Sequence, residues 1–582
     1  MARRWTQRND LGITTEVGVG LLLTLILLLL MPLLVPTRRG VDWNPDPQAN
    51  DPRANPESSA AASPTPDQST RDDETAFKQT RDLYAAQCAG CHGANGDGRG
   101  PAATVLFPRP RDFRAGRFRL VTTSNGVPTI EDLVEVLRRG IPGSSMPPWP
   151  AIDKPRWKML ANFVVELRRQ GIRETEQAQA RELGEEPVEE ETVELVHQLT
   201  TPGPLIDVPQ LEPSGAESID RGESLYLKQG CGGCHGKQGR GDGQEKMVNA
   251  EGLPNPPRDL TRGIFKGNFD PESIYRRILA GMPGSAMPSA KKLLPGQVAD
   301  LVNFVLALSD QATRDATVLN RERILARKVT DWPENPADSF WERNPATRVR
   351  LMPLWWRDEF PTDVLVRAVH DGQSLALQVS WEDSRPDNSL VRTESFRDAV
   401  AVQFYQGDLE PFLGMGARND VLDVWMWDGG RQHGAPSLEE VYPRIVVDWY
   451  PFSETAVTSP EYRRSGTRTS AQSKLTLAAK AAGNSIVPEA NGPVAASLQS
   501  RSPGTLAFRP RPSQLVSTRG NWQGGRWRVV FHRPLVVGAG DGVSLVPGRS
   551  ASIALAIWDG SRRDRNGKKL ITIWQDLELE EN

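Results

Sequence analysis

The chain has 582 residues, too many for one domain and enough for three or four. Its 70 Lys and Arg nearly balance 73 Asp and Glu, and a net charge of −3 argues against a nucleic-acid-binding face. Four Cys in this length exclude a disulfide-stapled fold.

At the amino terminus, Arg3, Arg4 and Arg8 precede an apolar stretch, Val17–Val35, in which only Gly, Thr and one Pro interrupt Val, Leu, Ile and Met. At about 1.5 Å per residue, a helix of that length spans the hydrocarbon core of a bilayer. Pro36-Thr37-Arg38-Arg39 follows instead of a small-residue cleavage pattern. The expectation for 1–38 is therefore an uncleaved, single-pass anchor in the cytoplasmic membrane. Residues 39–71, with Pro45, Pro47, Pro52, Pro56, Pro64 and Pro66 among Asp, Asn, Ser and Ala, read as a disordered tether.

Two pentapeptides then stand out: Cys88-Ala-Gly-Cys91-His92 and Cys231-Gly-Gly-Cys234-His235. C-x-x-C-H is the spacing for covalent haem, with both thiols joined to the porphyrin edge and the His left as an iron ligand. Zinc would want four ligands close together, and each pentapeptide offers three. Covalent haem is attached outside the cytoplasmic membrane, so the region after Arg38 is expected on the extracytoplasmic, periplasmic side.

The pentapeptides sit in a repeat. Leu83-Tyr84 and Leu225-Tyr226 precede them, and Gly96-Asp97-Gly98 and Gly241-Asp242-Gly243 follow. Pro110-Arg111-Asp112-Phe113 answers Pro257-Arg258-Asp259-Leu260, and Gly143-Ser-Ser-Met146-Pro147 answers Gly284-Ser-Ala-Met287-Pro288. Trp157, Leu160, Val164 and Leu167 recur at helical spacing, as do Val298, Leu301, Val305 and Leu308. The two copies, 72–172 and 218–312, are expected to be all-α. The Glu-rich stretch between them, within 173–217, reads as a solvated linker, with His197 on its surface.

This order of elements resembles class I cytochrome c domains. The resemblance implies that the loop Met, here Met146 and Met287, is the sixth iron ligand beside His92 and His235. Met282 competes at the second site, but its repeat partner is Ile141, which cannot ligate.

After about residue 318 the texture changes. Twelve of the 16 Trp lie between 332 and 574, and periodicity shortens to two. Leu375, Leu377, Val379 and Trp381 alternate, as do Val400, Val402 and Phe404, Trp527, Val529 and Phe531, and Ile553, Leu555 and Ile557. Short alternating strands broken by turns predict a mainly antiparallel β-sandwich over 320–582, with 452–505 as a long loop or insertion. His370, His433 and His532 stand outside any ligand motif, and His370, beside the Asp371-Gly372 turn, is expected to be exposed.

Four segments then follow in order: Trp341-Glu-Arg-Asn-Pro345, Phe412-Leu-Gly-Met415-Gly416, Asn521-Trp-Gln-Gly-Gly-Arg-Trp527, and Trp558-Asp-Gly-Ser with Asn566-Gly-Lys-Lys569. Their succession resembles the haem-binding domain of the γ subunits of ethylbenzene dehydrogenase and its relatives. The resemblance implies a non-covalent haem b between Met415 and a Lys, Lys569 rather than Lys568. It also implies molybdenum and iron–sulfur catalytic subunits as partners, with a respiratory-chain carrier on the other side.

The expected protein is a carrier of two haems c and one haem b, without a catalytic cluster of its own. A stand-alone haem oxidase or peroxidase, and a dihaem cytochrome fused to a carbohydrate- or surface-binding sandwich, are the alternatives.

Overall fold

The computed structural model describes residues 68–211, 213–244, 246–388, 396–416, 421–432, 495–502 and 505–581. Two helical units come first. In the first, α1 (Gln68–Gln87) leads into the short helix α2 (Ala89–His92) that carries the pentapeptide, followed by α3 (Ile130–Arg139) and α4 (Lys154–Leu183). α5 (Glu189–Thr200) then leads to the second unit: α6 (Ala216–Lys228), the pentapeptide helix α7 (Cys231–His235), α8 (Pro271–Ala280) and α9 (Pro295–Ala307).

The repeated Tyr explains how each pentapeptide is seated. Tyr84 and Tyr226 are buried, their rings 5.0 Å from Phe163 on α4 and Phe304 on α9. Their hydroxyls donate to the carbonyls of Gly93 (2.9 Å) and Gly236 (2.7 Å), just past each haem-motif His. One side chain thus ties the crossing of two helices to the end of the motif.

Two readings of this region change. The Glu-rich linker is helical: α4 continues without a break to Leu183 and stops at Gly184 in the left-handed conformation. Glu, Gln, Ala and Arg, the residues that make it look like a solvated tail, are also the strong helix formers. The repeat register also shifts after the pentapeptides. Gly98 N–H donates to the His92 carbonyl and Gly241 N–H to that of His235, so Gly98 corresponds to Gly241 rather than Gly243.

The remainder is a β-sandwich. Its strands are β1 (Arg323–Lys328), β2 (Thr347–Arg350), β3 (Met352–Pro353), β4 (Asp363–His370), β5 (Ser374–Glu382), β6 (Ala399–Tyr405) and β7 (Leu422–Asp428). β8 (Ala495–Ser500), β9 (Ala507–Phe508), β10 (Ser517–Trp522), β11 (Arg526–Pro534), β12 (Ala551–Trp558), β13 (Leu570–Ile571) and β14 (Gln575–Leu579) complete it. The ladder runs β10-β11-β5-β4-β1-β14-β12-β6-β7-β8-β9, antiparallel except where β1 pairs with β4 and β14. It folds back on itself, because Trp427 of β7 lies 4.8 Å from Trp527 of β11 and Trp425 lies 6.3 Å from Phe531.

The expected membrane-spanning helix is corrected. No helix among the described residues is long and apolar enough to cross a membrane, and Val17–Val35 lies outside them, as does the tether apart from the start of α1. The described fold is two all-α units and a mainly antiparallel sandwich. Most of 452–505 also lies outside the described residues, but its end forms β8, paired with β7. His370 is buried, contrary to expectation, and its Nε2 lies 3.2 Å from the Glu580 carbonyl. The turn beside it is open, but β1 and the chain terminus cover the strand end.

Three strand ends bring Asp383, Asp398 and Asp559 together, one carboxylate oxygen of each within 4.8 Å of the others. Asp398 accepts from Gly560 N–H (2.8 Å) and the Trp527 indole (3.0 Å), whereas the Asp383 Oδ2 has no partner. Burial, reinforced by the neighbouring carboxylates, pushes Asp383 and Asp398 well above the ordinary range. The folded state then holds more protons than the unfolded chain, so stability is greatest below about 4, falls as pH rises, and levels off once pH has passed the folded values of about 6 and about 8. Thermal unfolding in metal-free buffer is expected to show that fall. Asp383→Asn should raise stability at pH 8 by at least about 1.4 kcal/mol, the value of one pKa unit. A flat profile for the unaltered chain would contradict the assignment.

Candidate functional site

In the first unit the pentapeptide helix points Cys88, Cys91 and His92 into a mostly apolar cavity of about 920 Å³, which Met146 also lines. The His92 Nδ1 lies 2.9 Å from the Arg111 carbonyl, leaving Nε2 for a metal, and Phe113 stacks on the ring at 4.3 Å. Burial pulls the imidazole down to about 4, so it is neutral at pH 7 and keeps its lone pair. Burial also pushes both thiols up to about 12. Protonated thiols suit addition across a vinyl group. Zinc would need thiolates, and among the described residues the two thiols and the imidazole of neither pentapeptide converge on one point with each other or with an acidic side chain.

Met146 is presented by a turn that the second unit repeats. Ile141 N–H donates to the Met146 carbonyl (2.9 Å), and Met146 N–H to the Ser144 hydroxyl (3.2 Å). Met282 N–H and the Met287 carbonyl pair at 3.1 Å, and Met287 N–H donates to Ser285 at 3.3 Å. Met287 thus stands where Met146 stands. Met282 also lines the first unit's cavity.

In the second unit Cys231, Cys234 and His235 are partly buried, and burial lowers His235 to about 4 as well. Its Nδ1 is buried without a hydrogen-bond partner. The four thiols are not joined as disulfides.

The sandwich contributes the opposite wall of the same cavity. Along β6 and β12, Val400, Val402, Ile553 and Ile557 face the core, while Ala399, Ala401, Ala554 and Ala556 face the cavity beside Val424 and Met426 of β7. Small side chains at every second position leave a flat floor. This alanine stripe was missed at the sequence level, because the alternation was read for its large members only.

Met415 and Lys569 both line this space. Met415 sits at φ 89°, a left-handed conformation that costs a non-glycine residue roughly 1–3 kcal/mol. It is held there by the Ser500 hydroxyl, which donates to its carbonyl at 2.8 Å, and by a Gly416-to-Phe412 backbone bond of 2.9 Å. The Lys569 ammonium lies 4.7 Å from the Trp558 ring centre, and burial lowers it to about 8. Lys568 is elsewhere: its Nζ donates to the Arg562 carbonyl at 2.5 Å and lies 3.9 Å from Asp564. A neutral amine is therefore within reach at Lys569. His433 lies outside the described residues, while His532 lies on β11 beside Ser517 and Trp332, away from the cavity.

Phe412 fastens the two walls together. Its ring fills the space where a Cβ on Gly90, inside the first pentapeptide, would come within 2.7 Å. Phe107 stacks on Trp355 at 5.4 Å, and its backbone bonds to Leu354 and Trp356 at 3.0 and 2.8 Å. The Met415 loop is consequently built against the Cys91 segment, and both donor sets open onto one enclosure.

The fold and this geometry define a class: two cytochrome c units joined to a sandwich that carries a third donor set. Residues 338–570 match the family model described as ethylbenzene dehydrogenase. Residues 219–309 match that of cytochrome c, and residues 75–164 that of cytochrome c oxidase, cbb3-type, subunit III. Among curated proteins, the chlorate reductase subunit gamma of Ideonella dechloratans is 24% identical over 255 residues, covering 41% of this chain and 78% of that protein. A provisionally named respiratory nitrate reductase heme subunit of Haloferax mediterranei is 21% identical over 267 residues, covering 45% of this chain and 72% of its own length. The dimethylsulfide dehydrogenase subunit gamma of Rhodovulum sulfidophilum is 30% identical over 113 residues, 17% of this chain and 42% of that one. All three relatives are named as the gamma or heme subunit of a reductase or dehydrogenase.

Proposed function

We propose that this chain is the multi-haem electron-transfer subunit of a molybdenum oxidoreductase complex, carrying electrons singly between the catalytic subunits and a respiratory carrier. The observation that carries this reading is the shared enclosure, in which Cys88, Cys91, His92 and Met146 on one wall face the floor that bears Met415 and Lys569 on the other. Two covalent haems c, at Cys88/Cys91 and Cys231/Cys234, and one haem b at Met415 and Lys569 fit these donors. Haem supplies a one-electron couple when bound.

The chain's own residues set the conditions for that couple. Neutral His92 and His235 offer lone pairs without loss of a proton. Thioether sulfur from Met146, Met287 and Met415 would favour ferrous iron and raise the potential of a haem held there. The alanine floor and the Phe412 seal exclude water, so little solvent reorganises when charge moves. His92 with Met146, His235 with Met287, and Met415 with Lys569 would hold the three haems, which would then serve as electron carriers rather than substrate sites. Covalent haem is attached outside the cytoplasmic membrane, and on that ground we assign the haem domains to the extracytoplasmic side.

The test is to isolate the tagged chain from its native cells. Stoichiometric co-purification with molybdenum- and iron–sulfur-containing chains is expected, with the haem bands of this chain oxidised on adding an oxyanion such as nitrate or chlorate, or reduced by a donor substrate of the complex. A chain that isolates alone and whose reduced haem binds carbon monoxide readily would favour a stand-alone haem enzyme.

A further inference from the structure

The two helical units meet over a cluster of cations that the haem ligands do not explain. Arg111 lies in the Pro-Arg-Asp segment of the first unit, with Arg119 eight positions on; Arg258 and Lys266 occupy the same two places in the second. All four line the cavity that holds Cys88, Cys91 and His92, although two of them come from the other unit. The Arg119 Nη1 and the Lys266 Nζ each lie 3.5 Å from one oxygen, Asn255 Oδ1. The two repeat-related charges thus face one another across a single amide.

Acidic partners are few. Among the described residues, Arg111 reaches the exposed Glu251 at 3.2 Å and also feels Asp112, while Asp358 is the acid whose charge acts on Arg258. Arg258 is buried, with Nε and Nη1 unpartnered, and the Arg119 Nε is unpartnered too. Its remaining contacts fix Arg258 in place rather than neutralise it: one N–H donates to the Gly143 carbonyl in the Met146 turn, and the guanidinium lies 3.8 Å over the Trp356 ring of the sandwich. Gly143, at φ 75°, is needed here, since a Cβ would come within 2.7 Å of the Arg258 Nε. Burial and the three neighbouring cations together pull Lys266 down to about 7.

Four like charges at the mouth of an apolar cavity repel one another unless anions sit among them. Haem carries two propionate carboxylates on one edge, and guanidinium groups bind carboxylates in a matched fork. We infer that Arg111, Arg119, Arg258 and Lys266 form one carboxylate-binding site, built by both helical units, that holds the propionates of the haem attached at Cys88 and Cys91. The second unit thereby completes the first unit's cofactor site, and Trp356 ties that arrangement to the sandwich. Arg258 and Lys266 are positioning residues in this scheme, since neither ligates iron. A cation beside the propionates disfavours the more positive ferric state, so the second unit also raises the first haem's potential.

This inference rests on the proposed covalent haem at Cys88 and Cys91, and the test separates the two. Full-length holoprotein is first stained for covalent haem, then titrated spectroelectrochemically. Lys266→Met is the decisive variant, because Met keeps most of the side chain's length while removing its charge, and the hydrogen bond given up is the long one to Asn255, 3.5 Å. The c-type wave that Met146→Ala displaces is expected to move toward ferric by about tenfold, about 59 mV for one electron. Arg258→Gln should move the same wave, and Lys266→Arg should restore it. Normal haem staining with that wave unmoved in both variants would overturn the inference alone. Absence of covalent haem from the unaltered chain would overturn the functional reading with it.

Discussion

Replacing Cys88, Cys91, Cys231 and Cys234 together by Ala removes all covalent haem, so that haem staining of the chain on a denaturing gel falls to background. Replacing Cys88 and Cys91 alone leaves about half the signal, carried by the second unit. The effect is large because thioether bonds, and not the fold, keep haem on a denatured chain, and because these are the only cysteines present. The substitution is mild for packing, since Ala fills most of the volume of a Cys side chain. Full-strength staining in the fourfold variant would remove the covalent sites.

Lys569→Ala produces the second large effect, the loss of non-covalent haem while both covalent haems remain. Met415 and Lys569 are far apart in sequence and meet only across the folded floor of β6, β7 and β12. A ligand bound to that folded arrangement stabilises it by mass action, so haem loss and a lower melting temperature should arrive together. Haem affinity is expected to fall by at least about tenfold, about 1.4 kcal/mol. Met415→Ala should act in the same direction, offset in part by relief of its left-handed strain. Lys568→Ala should leave haem in place, because that side chain is engaged by Arg562 and Asp564. Haem loss from Lys568→Ala and retention by Lys569→Ala would shift the ligand by one position.

The pentapeptides were legible because their chemistry is local: five consecutive residues hold both thiols and the imidazole. The helical units were legible from their repeat, and the sandwich from its alternation. What escaped depends on the third dimension. Alternation shows that Val400 and Val402 share a face, but not that Ala399 and Ala401 floor a cavity rather than meet solvent. His370 looked open beside its turn and is covered by residues about 200 positions away. The Glu-rich stretch after residue 173 was read by charge when helix propensity decided its structure. The match of Gly98 to Gly241 rather than Gly243 was open to the sequence as well, since each lies ten positions past the first Cys of its pentapeptide, and the backbone hydrogen bonds follow that spacing. One signal was present and unused: Arg119 and Lys266 recur at the same distance from the Pro-Arg-Asp segments. Aligning the copies beyond their motifs would have marked them as a pair.

The central claim is that one chain holds two c-type haems and one b-type haem around its shared enclosure. A pyridine haemochrome on the intact purified chain, from cells replete in haem, tests it most directly. The account predicts two c haems for each b, with acid–acetone extracting only the b. A spectrum with c-type bands alone would contradict it and leave the sandwich as a structural or docking module.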